Sequence, residues 1–248
     1  MTTSEQDEIA QAARNNAAWC DAVARSHDAG GRFLADLWFS DRQLPLFYPN
    51  LVTLTAEGEA PQRDRVATLI ARGPPLPWAV KDSFARLDLT ALGFDCLFEA
   101  SWISFRSPGT ASAPTDSSIR WRKIDSAAEL VAWEKAWRRE LPTGSAAIFP
   151  PALLQDPDIA FLAGSRADAI VAGCVLNVAA GAVGLSNLFG PEEMRASVWV
   201  ACRDQARARA PGLPVVGYEQ GEDLAYALAA GFRELGPLRV WLWTGGAE

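Results

Sequence analysis

Tyr218, Glu219, Glu222, Asp223 and Tyr226 crowd two phenols and three carboxyl groups into one short stretch near the carboxyl end. Such side chains take and give protons during catalysis when their surroundings tune them. Each also has a plainer role. Glu219 can be a solvated charge at a strand end, and Glu222 and Asp223 suit a helix N-terminus, where the macrodipole stabilises acids. The two tyrosines suit half-buried rings with a hydrogen-bonded tip. A second candidate is Gly184-Leu185-Ser186-Asn187-Leu188, a near miss to the nucleophile elbow, with Leu188 where the second glycine belongs. Its base would have to be His27, the sole histidine, which lies upstream against the chain order of that hydrolase fold. A serine hydrolase is therefore not expected, and His27 reads as a helix-end residue. One histidine and scattered cysteines make no zinc set, so no metal site is expected. Nucleotide chemistry has no support either, because the chain has no Walker lysine loop and no Gly-x-Gly-x-x-Gly stretch.

Composition sets the frame for these residues. With 248 residues and 49% hydrophobic content, the chain has room for one large or two small domains with a sizeable core. The net charge of −7, with no Lys/Arg block, argues against a nucleic-acid partner and weakly favours cationic small molecules. Cys20, Cys96, Cys174 and Cys202 are widely spaced within apolar-patterned segments, which fits reduced core thiols and a cytoplasmic location. The acidic start, Met-Thr-Thr-Ser-Glu-Gln-Asp-Glu, carries no secretory signal. Ala169 to Pro191 is uncharged and long enough to cross a bilayer. Its glycines and asparagines, with Ala179-Ala180-Gly181 at the middle, predict a buried hairpin instead and no membrane partner.

The elements that must position the candidate residues lie after a connector. Ser107 to Ser118 has no large apolar side chain and reads as a solvated linker. Beyond it come a strand over Ile119 to Ile124 and a helix with capping-box spacing at Ser126 and Glu129. Leu130, Trp133 and Trp137 share one face of that helix and read as core rather than as a ligand platform. A short helical turn within Ile148 to Leu154 and a strand over Asp158 to Gly164 lead to the hairpin, Ala169 to Val178 and Ala182 to Leu188. A helix is predicted from Pro191 to Ala210, with Gly190 at its cap and Glu192 and Glu193 in its first turn. Then follow a strand over Val215 to Tyr218, a helix over Glu222 to Ala230 stopped by Gly231, and a last strand from Leu238 to Trp243.

This order, with Gly231-Phe232 after an alanine-rich helix and Gly236-Pro237-Leu238-Arg239-Val240-Trp241 beyond it, resembles the GNAT superfamily of acyl-CoA-dependent N-acetyltransferases over Ile119 to Trp243. The first half shows a fainter copy. Arg63-Asp64, a helix and Leu76-Pro77 parallel Arg203-Asp204, a helix and Leu213-Pro214, and Leu92-Gly93-Phe94 parallels Ala230-Gly231-Phe232. Before it, Glu8 to Ser26 forms an amphipathic helix with Ala12, Trp19, Cys20 and Val23 as core positions. The expected fold is thus mixed α/β with two tandem GNAT-like lobes: a truncated N-terminal lobe over 1–106 without a clear first strand, a linker over 107–118, and a C-terminal domain over 119–248. Two unrelated α/β halves remain the alternative to the internal repeat.

The resemblance implies an N-acetyltransferase that moves an acetyl group from acetyl-CoA to a small-molecule or peptide amine by direct attack in a ternary complex. It implies a gap beside the fourth strand, here Val183 to Phe189, where a backbone N–H polarises the thioester carbonyl. It makes Glu219 the base that deprotonates the amine, directly or through water. Its acid is commonly a tyrosine four residues before the Gly-Phe pair, which here is Ala227; Tyr226, one position away, and Tyr218 are the nearby phenols. Leu185, Asn187, Leu188, Phe189, Gly190 and Arg195 fall where the family holds its acyl-CoA. The phosphate loop departs from the family pattern. One glycine, a proline without N–H and two acids replace the bare backbone donors that cradle a diphosphate. Arg195 compensates if the helix starts later than Pro191, and is otherwise a surface arginine. These departures motivate the alternative, a catalytically lapsed GNAT-like scaffold serving as a binding or interaction module, with an apolar patch or homodimer.

Overall fold

A computed structural model describes residues 4–106, 119–138 and 146–245. The expected linker, 107–118, lies outside them. Along the chain run α1 (Glu5–Ser26), β1 (Arg32–Phe33), β2 (Leu37–Phe39), β3 (Leu51–Thr53), α2 (Glu59–Ile70), β4 (Trp78–Asp82) and β5 (Phe94–Phe105). They are followed by β6 (Arg120–Lys123), α3 (Ala127–Trp137), β7 (Ile159–Arg166), β8 (Ala169–Ala179), β9 (Ala182–Phe189), α4 (Arg195–Arg209), β10 (Val215–Glu219), α5 (Gly221–Ala229) and β11 (Arg233–Trp243). The mixed α/β class is as read from the sequence. No described helix is long and apolar enough to cross a membrane, and the uncharged stretch after Ala169 is the β8–β9 hairpin.

Packing groups residues 1–102 with 235–248, and 103–234 form a second unit. The carboxyl end groups with the first unit rather than following the 107–118 connector, because Arg239–Trp243 of β11 pairs antiparallel with Trp78–Asp82 of β4. In the first unit the strand order is β1, β2, β3, β4, β11, β5. Its core joins Leu37, Leu51, Val66, Trp78, Val80, Phe94 and Trp241. A capping box between Ser4 and Asp7 starts α1, which buries Ala12, Trp19, Cys20 and Val23 as its periodicity predicts. Cys96 departs from the expected core thiols. It is exposed near the start of β5, beside exposed Asp95 and Leu97, while the other three cysteines are buried.

In the second unit β6, β7, β8 and β9 pair antiparallel in sequence, and β10 adds to β9 in parallel. A βαβ crossover through α4 makes the parallel step possible. The β8–β9 turn is Ala180-Gly181, both at positive φ, the geometry of a two-residue hairpin. Ser126 and Glu129 form the expected capping box on α3. Trp133 is fully buried, donates from its indole N–H to the Leu162 carbonyl at 2.8 Å, and meets Phe161 and Phe189 edge-on at ring distances of 5.2 and 5.3 Å. Trp133 is core, and Trp137 stacks on it half-buried.

Three element limits differ from the sequence reading. α4 starts at Arg195, not Pro191. The Met194 N–H bonds the Pro191 carbonyl and the Arg195 N–H bonds the Glu192 carbonyl, closing a tighter 3-10 turn, Glu192–Met194, ahead of the helix. Gly190 therefore caps nothing, and the two acids sit in the turn. β11 begins at Arg233, directly after Gly231-Phe232, rather than at Leu238, and β5 at Phe94, the second residue of its Gly-Phe pair, rather than at Leu97.

Candidate functional site

The parallel step between β9 and β10 is short. Its register holds two pairs, Val215 with Val183 and Val216 with Gly184, although both strands continue beyond them. The next residue, Gly217, lies so close to β9 that a Cβ there would stand 2.7 Å from the Leu185 carbonyl oxygen. Past this contact, Ser186–Phe189 and Tyr218–Glu219 carry no register with each other.

β9 is irregular over the same residues. Gly173 and Val175 of β8 face Phe189 and Ser186 of β9, so a two-residue step on one strand meets a three-residue step on the other. That is a β-bulge, and Asn187, at φ 50°, is the residue in the left-handed region. A bulge turns a backbone N–H out of the ladder, so it can serve a ligand instead of a neighbouring strand. The Ser186 hydroxyl donates to Asn187 Oδ1 at 3.0 Å, and Ser186 lies within a strand rather than on the sharp strand-to-helix turn of a nucleophile elbow.

The other residues expected to hold acyl-CoA divide by burial. Leu185 is buried in the core of the second unit with Val183, Val198 and Trp199, and Leu188 packs against that core. Phe189 is buried against Trp133. Gly190 lies under α4, where a Cβ would come within 3.0 Å of the Val198 side chain. Arg195 is the first residue of α4, and its guanidinium pairs with Asp223 Oδ1 at 3.2 Å.

Glu219 ends β10 half-buried. Burial pushes its carboxyl up to about 8; the negative charge of Asp223 adds to the rise, and the Arg195 guanidinium opposes it. Tyr218 and Tyr226 are both half-buried, and Tyr226 packs against the core of the second unit. Tyr218 precedes Glu219 in an extended strand, so their side chains leave opposite faces. Ala227 is buried in the core, and a phenol there would have to displace packed neighbours. The residue that sequence reasoning missed is Asp223. It reads as an ordinary helix-start acid, and nothing in the spacing to Arg195 announces their ion pair.

Arg203 and Asp204, noticed as half of an internal repeat, have a structural role. The Arg203 guanidinium donates to the Ala230 carbonyl at the end of α5, bonds Asp204, and lies 5.0 Å over the Phe105 ring. It thereby satisfies a terminal helix carbonyl and fixes the end of α5 against α4.

No protein-family model matches the chain, and no curated protein matches it either. Solved structures do. A GCN5-related N-acetyltransferase from Kribbella flavida superposes with a TM-score of 0.64 over 95% of this chain and 96% of that one, at 15% identity. A GCN5-related N-acetyltransferase from Sphaerobacter thermophilus gives a TM-score of 0.57, 10% identity, and coverage of 95% and 94%. A protein assigned to the GNAT family from Novosphingobium aromaticivorans gives 0.54, 11% identity, and coverage of 92% and 96%. At such identities the likeness is one of fold, and the chain has the GNAT fold.

Proposed function

We propose that the chain is an acyltransferase that transfers an acyl group, with acetyl-CoA as the family-type donor, to an amine acceptor. The observation that carries this reading is Glu219, a carboxyl held near pKa 8 at the end of β10, beside the place where β10 and β9 stop pairing. A carboxylate this basic can accept a proton from an amine near neutral pH, whereas an ordinary one is too weak a base. A scaffold without activity has no use for the cost of burying that group.

Acetyl-CoA would supply the reactive thioester. The fit to this chain is better at the acyl end, where the bulge at Asn187 interrupts the β8–β9 ladder and Ser186 to Phe189 have no register with β10. It is poor at the diphosphate end. There the Met194 and Arg195 N–H groups are spent within the 3-10 turn, Arg195 is engaged by Asp223, and Glu192 and Glu193 are exposed. We therefore assign donor recognition mainly to β9, through backbone donors at Asn187 to Phe189, and only weakly to the start of α4.

In this reading Glu219 takes the proton of the attacking amine, and a β9 backbone N–H meets the negative charge that develops on the carbonyl oxygen. Ala227 supplies no acid. A thiolate leaving group of ordinary acidity, about pKa 8.5, tolerates that absence. Tyr226 is the nearer substitute by sequence and Tyr218 the other phenol.

We further read the molecule as two related lobes. β3, α2 and β4 repeat the strand, helix, parallel strand of β9, α4 and β10. The registers match, with Leu51–Val80 and Val52–Lys81 in one and Val183–Val215 and Gly184–Val216 in the other. Two measurements test the transferase reading. Acetyl-CoA should raise the melting temperature, and thiol release should depend on an added amine. An unchanged melting temperature at millimolar donor together with no thiol release from an amine panel would remove it.

A further inference from the structure

Arg195 and Asp223 come from two different elements and meet beside Glu219. Arg195 opens α4, directly after the turn that leaves β9; Asp223 lies in the first turn of α5, which Gln220 joins to Glu219. Their charged groups stand 3.2 Å apart, and Asp223 Oδ1 is shut off from solvent. The side chains are otherwise 24% and 37% exposed, so the pair is part-solvated and matters for the geometry it fixes more than for its own energy. The contact therefore ties the starts of the two helices that flank β10. We propose that the Arg195–Asp223 ion pair is the positioning element of the Glu219 site, acting through Glu219 rather than on either substrate.

The charges that bear on Glu219 come from both helices: Asp223 from α5, which raises its affinity for a proton, and Arg195 from α4, which lowers it. Glu222, Tyr218 and Tyr226 are the remaining titratable groups of its own stretch. Two opposite charges locked to each other cannot drift toward the carboxyl independently, so their combined effect is fixed by one geometry. Burial supplies most of the rise, and Asp223 adds more to it than Arg195 takes away. This assignment rests on Glu219 as the base, but the carboxyl's own titration reads it without turnover.

The test follows the Glu219 side-chain carboxyl by 13C NMR against pH in the full chain, assigned with Glu219→Gln. Asp223→Asn, nearly isosteric, should lower the midpoint by about one pH unit; Arg195→Gln should raise it by about the same. Arg195→Lys keeps the charge and should restore the wild-type midpoint to within a few tenths. Opposite displacements are the signature. A pair that merely holds the helices together would loosen the site in both variants and move both midpoints toward the solvated value. Displacement in the same direction, or none in either variant, overturns the proposal. Backbone amide spectra show whether each variant is folded. Failure of the acyltransferase reading is seen separately, as wild-type turnover that does not follow the Glu219 midpoint.

Discussion

A half-buried glutamate that holds its proton up to about pH 8 changes stability and chemistry in opposite senses, and both are measurable at the single residue. The ordinary carboxyl value is 4.5, so between that and 8 the folded chain keeps a proton that the unfolded chain gives up. Stability linked to Glu219 is thus fully present below about 4.5 and declines as pH rises through 8. Glu219→Gln has no such dependence. It should unfold like wild type at pH 4.5 and be more stable by about 1–3 kcal/mol at pH 9, as urea titrations at the two values would show. An advantage of equal size at both pH values would mean that the glutamate is not protonated in the fold. The same substitution should lower amine acylation about a hundredfold or more while leaving the acetyl-CoA-induced rise in melting temperature, because it removes a base and no donor contact. In the wild type, kcat/KM should climb with pH and level off above 8 as Glu219 ionises. A profile flat from pH 6 to 9 would assign the proton transfer to another group. None of this tuning was legible from sequence. Glu219 itself was, as the carboxylate at the end of a strand, but its partners come from elements that only the fold brings together.

At the scale of elements, the bulge in β9 depends on a glycine in the facing strand. A Cβ on Gly173 would lie 2.5 Å from both Phe189 Cε1 and Trp133 Nε1, and 2.7 Å from the Leu162 carbonyl oxygen. Trp133 cannot swing aside without losing its bond to that same carbonyl. Gly173→Ala should therefore cost about 3 kcal/mol, read as a lowered urea midpoint with unchanged m-value. A loss below about half a kcal/mol would show that the aromatic cluster has room to yield. Most element identities were legible because short-range physics fixes them. Ser126 and Glu129 announce a capping box, Ala179-Ala180-Gly181 a turn, and the alternation of Leu238 and Val240 a strand. The start of α4 was not legible. Gly190, Pro191, Glu192 and Glu193 all satisfy helix-start preferences, yet the chain closes a 3-10 turn first and puts the first α-helical residue at Arg195. Propensity ranks residues for a helix start but does not choose between i+3 and i+4 bonding in its first turn. The bulge was equally hidden: the Ala180-Gly181 turn fixes the register of β8 against β9 as far as Val175–Ser186, and the one-residue shift comes only beyond it, where Gly173 faces Phe189.

At the scale of the molecule, the sequence yielded the GNAT fold through element order in the second half, and hinted at a repeat through short matches in the first. It did not yield the destination of the last strand, because the partner of β11 is β4, remote in sequence, and nothing in Leu238–Trp243 specifies which edge it joins. That destination makes a prediction. β11 gives the first unit five register pairs with β4, the buried Trp241, and the Arg239–Glu99 bond at 2.6 Å. The described core cluster of the second unit, by contrast, joins residues from Ile103 to Phe232. Ending the chain at Glu234 should therefore strip hydrogen-exchange protection from Trp78–Asp82 and the strands paired with it, since an open β4 edge and the loss of Trp241 remove both ladder bonds and apolar burial. Amides of β7, β8 and β9 should keep most of their protection. Unchanged exchange in β4 would show that the first unit closes its core without the carboxyl end, and general loss across β7 to β9 would show that the two cores do not fold separately.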